Sequence, residues 1–142
     1  MTELTVSVAK TIQAPIEKVF DAWLDPKMLS NFILPAPGMP NPDVENDPKV
    51  GGQFSILMRV GENEVPHTGE YLELVRPDKL VFTWVSPFSG EGSTVTLDFS
   101  SVDSNTTQVD LTHRRFPNEE SRNNHEQGWG NILGKLAEVC AQ

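Results

Sequence analysis

The side chains best suited to moving a proton at neutral pH are three histidines, His67, His113 and His125, because imidazole has an unperturbed pKa close to neutrality. None stands in a spacing that marks a catalytic or metal site. His125-Glu126 opens like the helix of a zinc protease, but four residues on from His125 stands Trp129, so no two-ligand face forms. No cysteine pair, acidic calcium loop or phosphate-cradling Gly-Lys-Ser/Thr run occurs. Gly51-Gly52 reads as a bend or a close approach at the start of a strand. The expectation is a chain with no cofactor, no metal and no assigned catalytic residue. Cys140 has no second cysteine to pair with and falls in the last turn of an apolar-striped helix, as a small packed thiol or part of a frayed end.

His113 ends a strand on the apolar phase of Val109 and Leu111, which turns it toward the interior. There it either orients a polar ligand group or is a satisfied histidine bonded to a neighbour. His125 sits early on a helix stripe, and His67 reads as a surface residue of a strand. Tyr71 on an inner face would place one hydroxyl among apolar walls. Trp84 and Trp129 belong to faces that meet, where each ring either fills the core or walls a pocket, and Trp23 is a packing residue of the first helix. The expected ligand-binding set is Phe54, Met58, Tyr71, Trp84, Leu97, His113, Trp129 and Leu133, apolar with a few polar points.

The elements that would position these groups follow from periodicity. Leu4, Val6 and Val8 alternate with Thr5 and Ser7 as a strand with one buried face. Pro15 suits a first helical position, and Ile16, Val19, Phe20 and Trp23 follow at helical spacing. Asp25 caps a second short helix with Pro26 at its first position. Between Leu34 and Lys49 five prolines argue against regular structure across the whole stretch, which reads as a lid-like loop or a plain connector. Hairpins follow, with turns at Gly61-Glu62-Asn63, Arg76-Pro77-Asp78, Gly90-Glu91-Gly92 and Asp103-Ser104-Asn105. After Pro117, Asn118 caps a long helix with Glu119 and Glu120 in its first turn and His125, Trp129, Ile132, Leu133, Leu136 and Cys140 on one stripe. The order is α+β: a curved antiparallel sheet of about seven strands wrapped around a long C-terminal helix, with two short helices after the first strand.

Ala14-Pro15-Ile16-Glu17-Lys18-Val19-Phe20-Asp21-Ala22-Trp23, Val50-Gly51-Gly52-Gln53-Phe54, Gly69-Glu70-Tyr71-Leu72-Glu73, Leu80-Val81-Phe82-Thr83-Trp84, Leu111-Thr112-His113 and Gly128-Trp129 come in an order that resembles the activator of heat-shock-protein-90 ATPase homologue domain. That domain is part of the START-like helix-grip (SRPBCC) superfamily, and the resemblance covers nearly the whole chain. It implies strands wrapping the final helix around a cavity that relatives use for lipids, hormones or polyketides, and fold kinship assigns no reaction. Asn31-Phe32 stands where related chains often carry paired aromatics, a departure that alters one wall of the implied cavity.

Length and charge narrow the functions. At 142 residues the chain suits one domain, residues 1–142. Eleven basic against twenty acidic residues give a net charge of -9, which repels a phosphate backbone and an anionic bilayer, so neither nucleic acid nor membrane is an expected partner. The N-terminus lacks the pattern of a secretory signal, which points to a cytoplasmic setting. The leading expectation is a binding protein for a small apolar or amphipathic molecule held between sheet and C-terminal helix, as monomer or homodimer. The alternative is regulation of a chaperone ATPase or another protein through the acidic surface. A cyclase- or hydrolase-like enzyme using His113 or Tyr71 is the third reading, with catalysis left open.

Overall fold

The computed structural model describes residues 4–33, 40–60, 62–85, 93–115 and 118–140. The element order is β1 (Thr5–Ile12), α1 (Ile16–Ala22), α2 (Pro26–Phe32), β2 (Asp43–Asn46), β3 (Gln53–Val60), β4 (Asn63–Val75), β5 (Lys79–Thr83), β6 (Thr94–Asp103), β7 (Thr106–Arg114) and α3 (Glu119–Cys140). The strands form one antiparallel sheet in the order β1-β7-β6-β5-β4-β3-β2. From β2 onward this is a meander, and β1 adds beside β7 at the far edge. The first and second strands therefore lie at opposite edges, and α1 and α2 carry the chain between them.

Local chemistry sets the helix ends. Asp25 Oδ1 accepts from the Lys27 backbone N–H at 2.9 Å, with Pro26 at the first position of α2. Asn118 Oδ1 accepts from Ser121 N–H at 2.8 Å and caps α3. Pro15 is the N-cap of α1, one position earlier than its sequence suggests, because Ile16 is the first residue to turn helical. At the other end of α3, Lys18 Nζ donates to the Cys140 carbonyl at 2.8 Å, placing a cation where the helix dipole favours one.

The buried faces follow the period-two pattern. Phe54, Ile56 and Met58 of β3, Leu80 and Phe82 of β5, Val95, Leu97 and Phe99 of β6, and Val109 and Leu111 of β7 meet Trp129, Ile132, Leu133 and Leu136 of α3 and Phe20 of α1. The proline-rich stretch contains a strand the sequence did not announce. β2 occupies Asp43–Asn46, a window between Pro42 and Pro48 short enough to contain no proline, and pairs with β3 as an edge. Residues 34–39 of that stretch, the Gly90-Glu91-Gly92 turn, Gly61 and Pro117 lie outside the described residues.

Two glycines are imposed by geometry. Gly51 has φ +85°, and the backbone at Gly51 and Gly52 exchanges hydrogen bonds with Tyr71 at 2.8 and 2.9 Å, which ties the start of β3 to β4. At Gly69 a Cβ would run into the Thr83 carbonyl oxygen and the Phe54 ring. Gly69→Ala is expected to lower the unfolding free energy by about 1–3 kcal/mol, because Thr83 is backbone and cannot yield without loosening β5. Urea denaturation checks it, and an unchanged midpoint would show that the sheet gives way freely there.

Candidate functional site

The eight residues expected to bind a ligand are all buried, at 6% relative exposure or less. Phe54, Tyr71 and Trp84 come together at one seam: Phe54 lies 5.5 Å from Tyr71 and 6.1 Å from Trp84, ring centre to ring centre. Trp84 continues to Trp129 at 5.0 Å, and Trp129 to His113 at 5.9 Å. Met58, Leu97 and Leu133 are buried in the same core but do not line the seam.

The seam holds a void of about 20 Å³ between Trp23, Leu29 and Ile33 on the helical side and Phe54, Ile56, Tyr71, Phe82 and Trp84 on the sheet. That is room for roughly one water-sized group. Two features of its wall escaped sequence reasoning. Trp23, read as plain packing, lines the void, and its indole Nε1–H is buried with no hydrogen-bond partner among the described residues. Asn46 of β2 donates from Nδ2 to the Leu24 carbonyl at 2.8 Å and to Tyr71 Oη at 3.1 Å. A carbonyl only accepts, so this bond orients the Asn46 amide and makes Tyr71 Oη the acceptor in the second bond. Nothing in the spacing of Asn46 marked it, because its partners are 22 and 25 residues away. Burial pushes the Tyr71 phenol above its ordinary pKa, so the hydroxyl keeps its proton at neutral pH.

A second polar constellation lies further along the seam. The Trp129 Nε1–H donates to His113 Nδ1 at 2.9 Å, and an indole N–H can only donate, so Nδ1 is unprotonated. The neutral ring then carries its proton on Nε2 and donates to Ser93 Oγ at 3.0 Å, while Ser93 donates to the Trp84 carbonyl. Both imidazole nitrogens are engaged, and a proton added at Nδ1 would displace the Trp129 bond. Burial, with the neighbouring His125, holds His113 down at about 3. His113 is thus the satisfied, neutral histidine of its two sequence readings. Ser93 was not foreseen, although it falls on the inward phase of Val95, Leu97 and Phe99.

His67 corrects an expectation. It is 7% exposed, its ring lies 5.0 Å from Trp84, and burial lowers it to about 4. Counting back in twos from Tyr71 puts it on the inner face, a signal the strand carried. His125 is half-buried on the helix stripe, as its early position suggested, donates from Nδ1 to the Ser121 carbonyl at 2.8 Å, and is lowered by burial. The Cys140 thiol is buried, and burial raises its pKa. Among the described residues no group of His, Cys, Asp and Glu is arranged to hold a metal, and no helix is long and apolar enough to cross a membrane.

Residues 13–141 match the family model described as Activator of Hsp90 ATPase homolog 1-like protein. No curated protein matches the chain. Among solved structures it resembles a Chromobacterium violaceum protein (23% identity, 97% of this chain and 98% of that one, TM-score 0.84). It also resembles an AHSA1-like protein from Aeromonas hydrophila (23%, 95% and 90%, TM-score 0.81). An HSP90 activator from Plasmodium falciparum is 27% identical over 97% of this chain and 96% of that one, at TM-score 0.76.

Proposed function

Since the chain belongs to the Activator of Hsp90 ATPase homolog 1-like family, we propose that it binds a small apolar or amphipathic molecule between its sheet and its helices. The observation that carries this reading is the void at the aromatic seam, where helix and sheet meet around space and a tethered phenol rather than around close-packed aliphatic groups. Phe54, Tyr71 and Trp84 form its sheet-side wall, with Met58, Leu97, His113, Trp129 and Leu133 as the surrounding shell of the site. Native mass spectrometry of protein from its own host, followed by denaturing extraction, tests the proposal. A stoichiometric small-molecule adduct is expected, and Tyr71→Phe should reduce its occupancy while leaving the unfolding midpoint nearly unchanged. A clean apo mass in both proteins counts against ligand binding.

A second reading is favoured by the likeness to the Plasmodium falciparum HSP90 activator and by the net charge of -9: the domain regulates a chaperone ATPase through an acidic face. An open groove of about 630 Å³ at the solvent-facing side of β2, β3 and β4 presents Glu45, Asp47 and Glu70 and would suit a basic surface. Stimulation of a purified Hsp90 ATPase, weakened by salt, supports this reading, and an unchanged ATPase rate removes it.

A further inference from the structure

We propose that the seam void receives an uncharged hydrogen-bond acceptor of the ligand, a carbonyl, quinone or ether oxygen, on the Trp23 indole N–H and the Tyr71 hydroxyl. The inference rests on the ligand-binding reading above and adds the chemical class of the ligand.

The hydrogen-bonding valence of the wall carries it. An indole nitrogen has a proton to give and no lone pair to offer, and that of Trp23 is buried without a partner among the described residues. A buried donor left so is costly, so a group that accepts from it gains the whole difference. Tyr71 Oη already accepts from Asn46, whose orientation is set by the Leu24 carbonyl, so what the phenol has left to offer is its proton. Trp23 and Tyr71, both lining the void, thus each have a proton to give there, and an amine would bring further protons to a wall already supplied with donors.

The rest of the wall excludes charge. Leu29, Ile33, Phe54, Ile56, Phe82 and the ring of Trp84 complete it, with no Lys, Arg, Asp or Glu among them. A carboxylate would lose its hydration against aromatic rings with no countercharge. A neutral oxygen meets the two donors at far smaller desolvation cost. The void's size fits one such atom, and its position says how the remaining carbons enter: Trp23, Leu29 and Ile33 lie at or beyond the end of α1 and along α2, the other walls on the sheet, so parting α2 from β3–β5 opens the seam from the oxygen outward.

Acetophenone, ethylbenzene and benzoate form a probe set of similar size that differs in the group of interest. Each would be titrated into the protein while the three indole N–H resonances are followed by ¹H–¹⁵N NMR. Acetophenone is expected to bind about 3- to 10-fold more tightly than ethylbenzene and to move the Trp23 N–H downfield, leaving the Trp129 N–H on His113 in place. Benzoate is expected to bind more weakly than acetophenone. In Trp23→Phe the preference for acetophenone should shrink toward parity while ethylbenzene affinity holds. Equal affinities for ketone and hydrocarbon, or an unmoved Trp23 resonance in the wild type, overturns the acceptor assignment and leaves the ligand site standing. Tighter binding of benzoate overturns the uncharged class. If none of the three probes binds, the site reading fails together with this one. Should Trp23→Phe fail to fold, the wild-type resonance and the ketone-to-hydrocarbon ratio decide.

Discussion

Replacing His113 with alanine is expected to lower the unfolding free energy by about 3–5 kcal/mol, a large share of the stability of a domain this size. Two losses add. A fully buried imidazole leaves a cavity in a core that cannot collapse around it, because its neighbours are the stiff rings of Trp129 and His125. The Trp129 Nε1–H also loses its acceptor, and Ser93 its donor. His113→Leu separates the two, since leucine refills most of the volume but accepts no proton, and it should still cost about 1–3 kcal/mol for the orphaned indole. In a Trp129→Phe background, which has no N–H to orphan, the further cost of His113→Leu should fall. Urea midpoints for the four proteins give the cycle. A neutral or stabilising His113→Leu in the wild-type background would show that the relay from Trp129 through His113 to Ser93 contributes nothing.

Mild acid should unfold this protein more readily than its carboxylates alone require. His67 is held at about 4 and His113 at about 3, both below the ordinary 6.5 and both chiefly by burial. The folded state keeps the two rings neutral, and the unfolded chain protonates them as pH falls through the ordinary value. Their contribution is therefore complete above about pH 6.5 and is lost as pH falls toward the folded values, because the unfolded state binds the extra protons. At about 1.4 kcal/mol per pH unit for each, the pair loses about 3–4 kcal/mol between about pH 7 and about pH 5. Relief of the net charge of -9 acts in the opposite direction over the same range. The discriminating readout is thus a difference: the stability of His67→Phe should fall with acid less steeply than wild type, by about one proton's slope. Parallel slopes would mean that His67 takes up its proton without unfolding.

Part of the architecture was legible because it is local. Asp25-Pro26 and Asn118 followed by two acids announce helix starts through atoms a few residues apart, and the structure places both caps there. The period-two runs at Phe54-Ile56-Met58 and Val95-Leu97-Phe99 reported inward faces through the pleat itself. The α3 stripe from Trp129 to Cys140 did the same at helical period. β2 was hidden by its flanking prolines, and His67 by its polarity, although the phase of Tyr71 already turned it inward.

Residue type and spacing alone determined the order of elements apart from β2, the apolar part of their buried faces and the family, because each depends on near neighbours or on a pattern spread along the chain. Only the tertiary structure decided the state of the polar groups. Whether His113 is a free base or a saturated acceptor depends on Trp129 and Ser93, 16 and 20 residues away. The tethering of Tyr71 by Asn46 depends on a carbonyl of the α1–α2 junction. The buried indole of Trp23 depends on helical and sheet walls brought together across the seam. Hydrogen-bond valence is settled by what lies within about 3 Å in space, and no periodicity along the chain encodes that distance.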